Sequence, residues 1–333
     1  MPSTVSLLLP MSLAGSAVPW ASWQTLLPVC LGVCGLLVLV YQQRFLTTQP
    51  MFRKELFRRW AGVSCFLNQI IFGFCLNMLF YYLVIFWVGV RHMSDLQAGL
   101  ALLPQLIAIP LAAILTGYGI RSTGHVFPPL VVGWFLSMAG VLMLWYMDGS
   151  TSLSALLVIN GFVGFACGMV VSSINCAISS VMMKKDQGHA MAMGGLFRSA
   201  GSTLGISGGA ALFSTTVASK LEAHGVNLTP DTLIRTLRQA GRDPVVASVV
   251  EQSLDHLWLL GAGLGLGAWL MVMSCARAYP NLITKEREER ETEANRRSSV
   301  AWANQAHAEM VTLVQGTSPP TRLPVWEGFK PSR

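Results

Sequence analysis

Apolar runs almost free of charged residues, and long enough to cross a membrane, recur along this 333-residue chain. A membrane-spanning helix needs about 20 predominantly apolar residues. The runs are apolar all round rather than along one stripe, which excludes the amphipathic helices of a soluble core. They occupy residues 24–43, 62–90, 96–120, 126–147, 154–182, 187–219 and 257–276. The sequence therefore predicts an all-α polytopic membrane protein with about seven transmembrane helices.

The charge content supports the same class of protein. Charged residues make up 12% of the chain and hydrophobic residues 53%, whereas an average soluble domain carries about 25% charged residues. This is too little charge to cover the surface of a water-soluble protein of this size. We therefore predict that the chain is surrounded by the lipid bilayer. The net charge of +7 does not indicate a nucleic-acid partner, because membrane proteins sort their basic residues by side of the membrane.

The segments outside the spans differ from one another. Residues 1–23 are interpreted as the remnant of a preceding span and an outer turn. Residues 220–255 form a polar outer loop, in which 232–240 and 244–253 are predicted to be short amphipathic helices on the surface. Residues 280–333 begin with alternating Glu and Arg and continue as a polar, proline-containing stretch. That composition predicts a largely disordered tail.

Basic residues lie in every second loop between the predicted spans. These loops hold Arg53 and Lys54, Arg121, Lys184 and Lys185, and Arg277. Short loops rich in Lys and Arg stay on the cytoplasmic side, so the C-terminal tail is predicted to be cytoplasmic. Indole rings prefer the membrane interface, and four tryptophans fall near the opposite, outer ends of the spans. They are Trp20, Trp23, Trp87 and Trp145.

The outer loop also carries an N-glycosylation pattern, Asn227-Leu228-Thr229. Its predicted position outside the membrane favours modification of Asn227. Pro230 follows the pattern directly and disfavours modification, and three-residue patterns arise often by chance. An unmodified asparagine is therefore the alternative interpretation.

Arg198 is a charge inside a predicted span. A charge in hydrocarbon costs at least about 2.5 to 3.5 kcal/mol on insertion scales, so it needs a partner or a watery cavity. Arg198 lies 12 residues past Asp186, which is about 15 to 18 Å along a helix and near the middle of the membrane. Two roles stay open. Arg198 is either a cavity or gating charge, or a charge that snorkels or binds carbonyl groups and holds helices together.

Uncharged polar side chains in the spans offer a candidate cavity lining. They are Asn68, Gln69, Asn77, Gln105, Asn160 and Asn175. Tyr81 adds aromatic surface suited to an amphipathic organic ligand. The alternative for each polar residue is a hydrogen bond between helices, worth about 0.6 kcal/mol on average.

The chain does not show the common patterns of metal-dependent or nucleotide-dependent enzymes. It contains no HExxH sequence and no Walker loop with lysine. Its six histidines are scattered over both predicted sides of the membrane. The sequence therefore predicts a protein that is not an enzyme, with no cofactor and no metal.

Several segments together resemble a known family of transporters. They are Met51 to Arg59, Phe80 to Leu83, Ser94 to Pro104, Gly117 to Gly124, Phe197 to Gly201 with Gly205, and Pro19 to Trp23. In order and spacing they resemble the C-terminal half of the fungal-type, fourteen-span drug:proton antiporters of the major facilitator superfamily. The resemblance covers roughly Val18 to Tyr279.

The resemblance implies helical bundles around a central cavity that opens to alternate sides of the membrane. It implies export of amphipathic organic compounds, such as a drug or toxic metabolite, driven by protons that move inward. By position, Arg198 corresponds to a cavity or gating charge, and Arg121, between Gly117 and Gly124, to a charge of the cytoplasmic loop. The plasma membrane is the implied location, with the vacuolar membrane as the alternative.

The chain departs from the family pattern in two ways. The loop from Gly117 to Gly124 lacks the aspartate of the superfamily motif, and Phe86-Trp87 stands where Phe-Gln is common. The chain also corresponds to half of a transporter, and its aspartates lie at span edges rather than within the membrane. We therefore expect it to pair with a second half-transporter or with a copy of itself. A non-transporting membrane fragment is the alternative.

Overall fold

The fold is known from a computed structural model, which describes residues 60–146, 151–182, 186–223 and 244–275, positions 30 and 34, and parts of 292–307. The chain forms two compact units, Met1–Leu282 and Ile283–Arg333. In the second unit, residues 295–304 are helical. The helices described in the first unit are α1 (Trp60–Ile85), α2 (Asp95–Ala101), α3 (Leu103–Thr123), α4 (Phe127–Trp145), α5 (Leu153–Val181), α6 (Gln187–Ala223) and α7 (Pro244–Ser274).

The predicted spans are helical wherever the structure describes them. Five helical segments are long and apolar enough to cross a membrane: Trp60–Val90, Asp95–Thr123, Phe127–Trp145, Leu153–Val181 and Ser248–Ser274. Helix α6 occupies the sixth predicted span, but its many Gly, Ser and Thr residues and Arg198 make it less apolar than these five. Of the predicted span 24–43, the structure describes positions 30 and 34, both helical, and the segment 1–23 lies outside the described residues. The predicted all-α class with membrane-spanning helices is confirmed.

The third predicted span is divided into two helices. Helix α2 begins at a capping box, in which the Ser94 hydroxyl accepts from the Gln97 backbone N–H and the Gln97 side chain accepts from the Ser94 N–H. It ends at Leu102, and α3 restarts with Pro104 in its first turn, where a proline needs no hydrogen-bond donor. Gly124 ends α3 with a φ of 73°, a left-handed conformation that favours glycine.

The outer loop is shorter than the predicted 220–255. Helix α6 continues to Ala223, and α7 begins at Pro244 instead of near residue 257. The stretch 244–253, predicted to be a separate surface helix, is the first part of α7. Its apolar residues Val249 and Val250 are buried in the bundle, and this burial stabilises the additional turns.

Glycines bring α1 and α6 into backbone contact. A methyl group added at Gly201 would overlap the carbonyl oxygen of Ile70, and one at Gly205 would overlap that of Phe74. Further along, a methyl at Gly209 would lie 2.5 Å from the ring of Tyr82. Residue numbers rise together on the two helices, so α1 and α6 run parallel.

Helices α3 and α5 form a second parallel pair of the same kind. A methyl group at Gly164 would lie 2.5 Å from the carbonyl oxygen of Gln105, and one at Gly168 would overlap that of Ile109. Small residues allow this approach, which maximises van der Waals contact where lipid provides no hydrophobic drive between helices.

The remaining contacts are antiparallel and close the bundle. On α4, Gly133 faces Val170 of α5 and Gly140 faces Val163, so the numbers run in opposite directions. Gly265 of α7 packs against Met138 of α4, and α7 also contacts α1 and α6. In the described bundle, α1, α4 and α6 therefore point one way, and α3, α5 and α7 point the other way.

The exposed side of α3 is apolar. Leu106, Ile107, Leu111, Ile114 and Leu115 are between 49% and 70% exposed, and a surface of this kind suits contact with lipid tails. Trp145, at the end of α4, is 40% exposed and is free to reach an interface. Trp87 lies three residues before the end of the span Trp60–Val90, but its side chain is fully buried among the helices, so it does not present its indole ring to an interface.

The parallel approach of α1 and α6 leads to a first prediction. Gly201→Ala is expected to lower the thermal unfolding temperature of the purified protein in detergent, because the added methyl meets backbone atoms of Ile70. Overpacking costs about 1 to 3 kcal/mol, more than the roughly 1 kcal/mol that alanine gains over glycine as a helix former.

The matched control is Gly195→Ala on the same helix, where a methyl group meets no described atom within 4 Å. This variant is expected to keep or raise the unfolding temperature. Equal unfolding temperatures for the two variants would contradict the close contact between α1 and α6.

Candidate functional site

Asn77 of α1 and Ser202 of α6 meet where the two helices pack together. We group them with the nearby polar residues Tyr81 of α1 and Arg198, Ser199 and Thr203 of α6, and call this set the α1–α6 polar seam. The Asn77 side-chain amide donates to the Ser202 hydroxyl at 2.7 Å and to the Gly73 carbonyl at 3.2 Å. Ser202 in turn donates to the Arg198 carbonyl at 2.9 Å. The seam is therefore ordered by hydrogen bonds across the helix pair.

Arg198 lies on this seam with its side chain half-buried. It comes about 16 Å along α6 from Gln187, at a rise of 1.5 Å per residue. Gly73 of α1 packs directly on its carbonyl oxygen, which fixes the backbone at this position. Within the part of the chain that the structure describes, the guanidinium has no hydrogen bond or ion pair. The sequence left two roles open for Arg198, a cavity charge or a charge that binds carbonyl groups. Among the described residues its guanidinium contacts no carbonyl group, so the second role is not supported there.

The exposed edge of the seam is unusually polar for a membrane helix. Ser199 is exposed and Thr203 half-buried. Their hydroxyls donate to carbonyls of their own helix, at 3.0 Å to Gly195 and at 2.8 Å to Ser199. The hydroxyl oxygens keep lone pairs that can accept further hydrogen bonds. This edge differs from the leucine- and isoleucine-rich side of α3, and it suits water or another polar surface better than lipid.

Tyr81 adds an aromatic face one turn beyond Asn77. It is 48% exposed, and its ring packs edge-on against that of Tyr82 with centroids 5.1 Å apart. Tyr82 is almost fully buried, and its hydroxyl donates to the Ile206 carbonyl at 3.5 Å. Tyr82 thus holds the neighbouring ring in place, and Tyr81 presents an accessible aromatic surface.

Gln69 and Asn175 form a bridge between α1 and α5. The Gln69 side-chain amide donates to the Asn175 side-chain oxygen at 2.8 Å. Gly194 of α6 lies beside this bridge, since a methyl group there would be 3.5 Å from the Gln69 amide nitrogen. Asn68 instead donates to the Ser64 carbonyl of its own helix at 2.8 Å. The side-chain oxygens of Asn68 and Gln69 are buried and have no hydrogen-bond partner among the residues that the structure describes.

Gln105 and Asn160 belong to the other parallel pair. Asn160 of α5 donates to the Ala101 carbonyl at 3.3 Å, and so satisfies a carbonyl at the end of α2 that has no intrahelical donor. Gln105 of α3 is fully buried, and within the described part of the chain neither its amide nitrogen nor its amide oxygen has a hydrogen-bond partner. The predicted polar residues therefore occupy three places along the bundle: the α1–α6 seam, the α1–α5 bridge and the α3–α5 contact.

The predicted loop residues lie at the end of α3. Arg121 is exposed in the last turn, where a cation interacts favourably with the negative end of the helix dipole. Gly124 provides the left-handed cap, and Gly117 faces the Ser172 hydroxyl, 3.5 Å from an added methyl. Asn227 lies outside the described residues.

A hydrolase motif in α6 has a structural explanation. Gly205 to Gly209 matches the pattern G-x-S-x-G, which in hydrolases places the serine on a sharp turn between a strand and a helix. Here Ser207 lies inside a continuous helix, is 2% exposed and donates to the Thr203 carbonyl at 2.8 Å. It is not a nucleophile elbow.

Ser199, Ser202 and Thr203 were not predicted as site residues. Ser202 follows Arg198 by one helical turn, and this i, i+4 spacing is a signal that places both residues on one face. The contact between Ser202 and Asn77 joins residues 125 positions apart, and no sequence spacing indicates it.

The unpartnered amide of Gln105 leads to a second prediction. Gln105→Met is expected to raise the thermal unfolding temperature, because it removes a buried polar group that lacks hydrogen bonds and keeps its volume; an unsatisfied group costs about 1 to 3 kcal/mol. The matched change Gln69→Met is expected to lower the temperature, because it breaks the bond to Asn175. The reverse order in a melting experiment would show that Gln105 has a partner essential to the fold.

Comparisons with known proteins agree with the helical architecture. Residues 2–206 match the family described as Major Facilitator Superfamily. Chain segments are similar to MFS transporter L2 of Phoma sp. (29% identity, 66% of this chain and 37% of that protein). They are also similar to Multidrug resistance protein fnx1 of Schizosaccharomyces pombe, with 24% identity over 71% of this chain and 45% of that protein. Multidrug transporter protein MdtP of Bacillus subtilis is 25% identical over 69% of this chain and 41% of that protein. The chain thus spans less than half the length of these curated relatives.

A solved structure shares the fold. It is a bacterial homolog to the human lysosomal transporter Spinster in an inward-facing and occupied conformation, with a TM-score of 0.57 and 15% identity. The match covers 84% of this chain and 67% of that one. With the family match over most of the chain, the membrane-spanning helices identify the protein as a member of the major facilitator superfamily of membrane transporters.

Proposed function

We propose that the chain forms part of a transporter that exports amphipathic organic compounds by proton antiport, and that the α1–α6 polar seam is its wall of the substrate cavity. The observation that carries this proposal is the accessible polar edge of α6 around Arg198. A half-buried cation and hydroxyls on a membrane helix are expensive to expose to lipid, so an aqueous cavity is the environment that fits them.

The names of several relatives support export. They include the MFS-type efflux pump LUC4 of Fusarium sp. and the MFS efflux transporter aclA of Aspergillus oryzae, as well as the multidrug proteins above. The proposed drug:proton antiporter subtype comes from the resemblance of the sequence motifs and not from these names. Proton-coupled drug export by this chain is therefore the hypothesis that the experiments below test.

A second half is part of the proposal. Among the acids in or next to the described helices of the first unit, Asp95, Asp186 and Glu222 lie at helix ends, and Glu251 and Asp255 lie in the first third of the span Ser248–Ser274. A proton-carrying carboxylate deep in the membrane would then come from another bundle, either a second half-transporter or a second copy of this chain. A non-transporting fragment is the competing interpretation.

The orientation completes the proposal. The end of α3 with Arg121 lies on the same side of the bundle as the start of α6 and the end of α7. The positive-inside rule assigns that side to the cytoplasm, which would place the C-terminal tail inside and Asn227 outside, in the plasma membrane or the vacuolar membrane.

Arg198 provides the test of the cavity. Arg198→Ala is expected to reduce efflux to background while the protein still reaches the membrane in normal amount, because the change removes the charge of the seam and leaves its backbone contacts. The measurement is efflux of a fluorescent amphipathic compound from cells in which the unmodified chain is assembled into an active transporter. Lys220→Gln, a charge loss near the end of the same helix, is the matched control. Normal efflux by Arg198→Ala would refute the cavity assignment.

The need for a second half has its own test. The chain expressed alone is expected to show no proton-coupled efflux unless it assembles, because a single wall does not enclose a cavity. Purification followed by mass measurement of the detergent complex, with reconstitution of each oligomeric form into vesicles under a pH gradient, separates the cases. Transport by a strictly monomeric form would contradict the proposal, and inactivity of every assembled form would favour the non-transporting fragment.

A further inference from the structure

The charge of the α1–α6 polar seam has one sign. Arg198 is the one charged residue within 190–219 of α6, and the described spans 60–90, 127–145 and 153–181 contain no Asp, Glu, Lys or Arg. None of the acids of the described helices forms an ion pair with Arg198. The seam as described therefore carries a net positive charge.

An unbalanced guanidinium favours one class of ligand. It presents a planar fork of N–H donors that matches a carboxylate with two parallel hydrogen bonds. The neighbouring hydroxyls of Ser199 and Thr203 donate within their helix, so they add polarity without a competing negative charge. A cationic compound would instead bring a second positive charge to the same place, which is unfavourable because like charges repel.

The seam also has a fixed order along the helix axis. Arg198 lies level with Gly73 of α1, and Asn77 with its partner Ser202 follows one turn later. Tyr81 comes eight residues after Gly73, or about 12 Å further at 1.5 Å per residue. An elongated molecule with an acidic head and an aromatic body matches this spacing, with the head at Arg198 and the ring system at Tyr81.

We propose that the α1–α6 polar seam binds organic anions, specifically carboxylates with an aromatic or other apolar body about 12 Å long. This rests on the proposed function, in which the seam lines the substrate cavity, and it adds the chemical class of the substrate. Arg198 binds the carboxylate, Asn77 and Ser202 bind polar groups in the middle of the molecule, and Tyr81 stacks on its ring.

A set of three probes of nearly equal shape tests the charge preference. Biphenyl-4-carboxylate is the anion, biphenyl-4-carboxamide the neutral analogue and biphenyl-4-ylmethylammonium the cation. Titration calorimetry with the full chain in lipid nanodiscs is expected to show the carboxylate bound at least about tenfold more tightly than the amide, because hydrogen bonds between charged groups are worth about 1.5 to 3 kcal/mol. The cation is expected to bind most weakly.

Variants connect the preference to Arg198. Arg198→Gln is expected to make the carboxylate and the amide bind equally, and Arg198→Lys to keep a reduced preference because the charge remains without the fork. Lys220→Gln is expected to keep the full preference. Equal binding of the three probes by the unmodified chain, no binding of the carboxylate, or a preference that survives in Arg198→Gln would each overturn the proposal.

The result is separable from the proposed transport function. An anion preference that depends on Arg198, found in a chain that does not transport in any assembly, would support the binding site and refute the efflux function. Proton-coupled efflux of neutral or cationic compounds without an anion preference would support efflux and refute the substrate class.

Discussion

Backbone contact between parallel helices is the constraint on which the bundle depends. At Gly201 and Gly205 of α6, and at Gly164 and Gly168 of α5, any side chain larger than hydrogen would meet a backbone carbonyl of the partner helix. Membrane helices gain little from hydrophobic burial against each other, since lipid tails are equally apolar, and they associate through close packing of this kind. Two such pairs, joined by antiparallel contacts through α4 and α7, fix the direction of every helix described in the bundle.

The same contacts assemble the polar seam. Because α1 and α6 are held in register, Asn77 meets Ser202 at 2.7 Å and Gly73 packs on the Arg198 carbonyl. The seam is thus as rigid as the glycine contact beneath it. A charge beside hydroxyls and an accessible aromatic ring suits water or another polar surface better than lipid, and this is the basis of the proposed cavity wall.

The polar residues of the spans serve different purposes, although they look alike in the sequence. Asn160 satisfies the carbonyl at the break between α2 and α3, Gln69 joins α1 to α5, and Asn68 bonds to its own helix. In the amino-acid sequence, each of them stands out as a single polar residue in an apolar run. The sequence does not show whether such a residue joins two helices or lines a cavity. That difference depends on which helix each side chain faces.

The sequence alone determined that the protein is a bundle of membrane-spanning helices and that Arg198 lies inside a span, because both follow from local composition and the cost of charge in hydrocarbon. The helix ends at Ser94 and Gly124 were not predicted, although capping there is a local property. The tertiary structure decided that Trp87 is buried, that α7 starts at Pro244 and that Asn77 lies beside Ser202. These features require contacts between residues far apart in the chain, and only the packing of the helices specifies them.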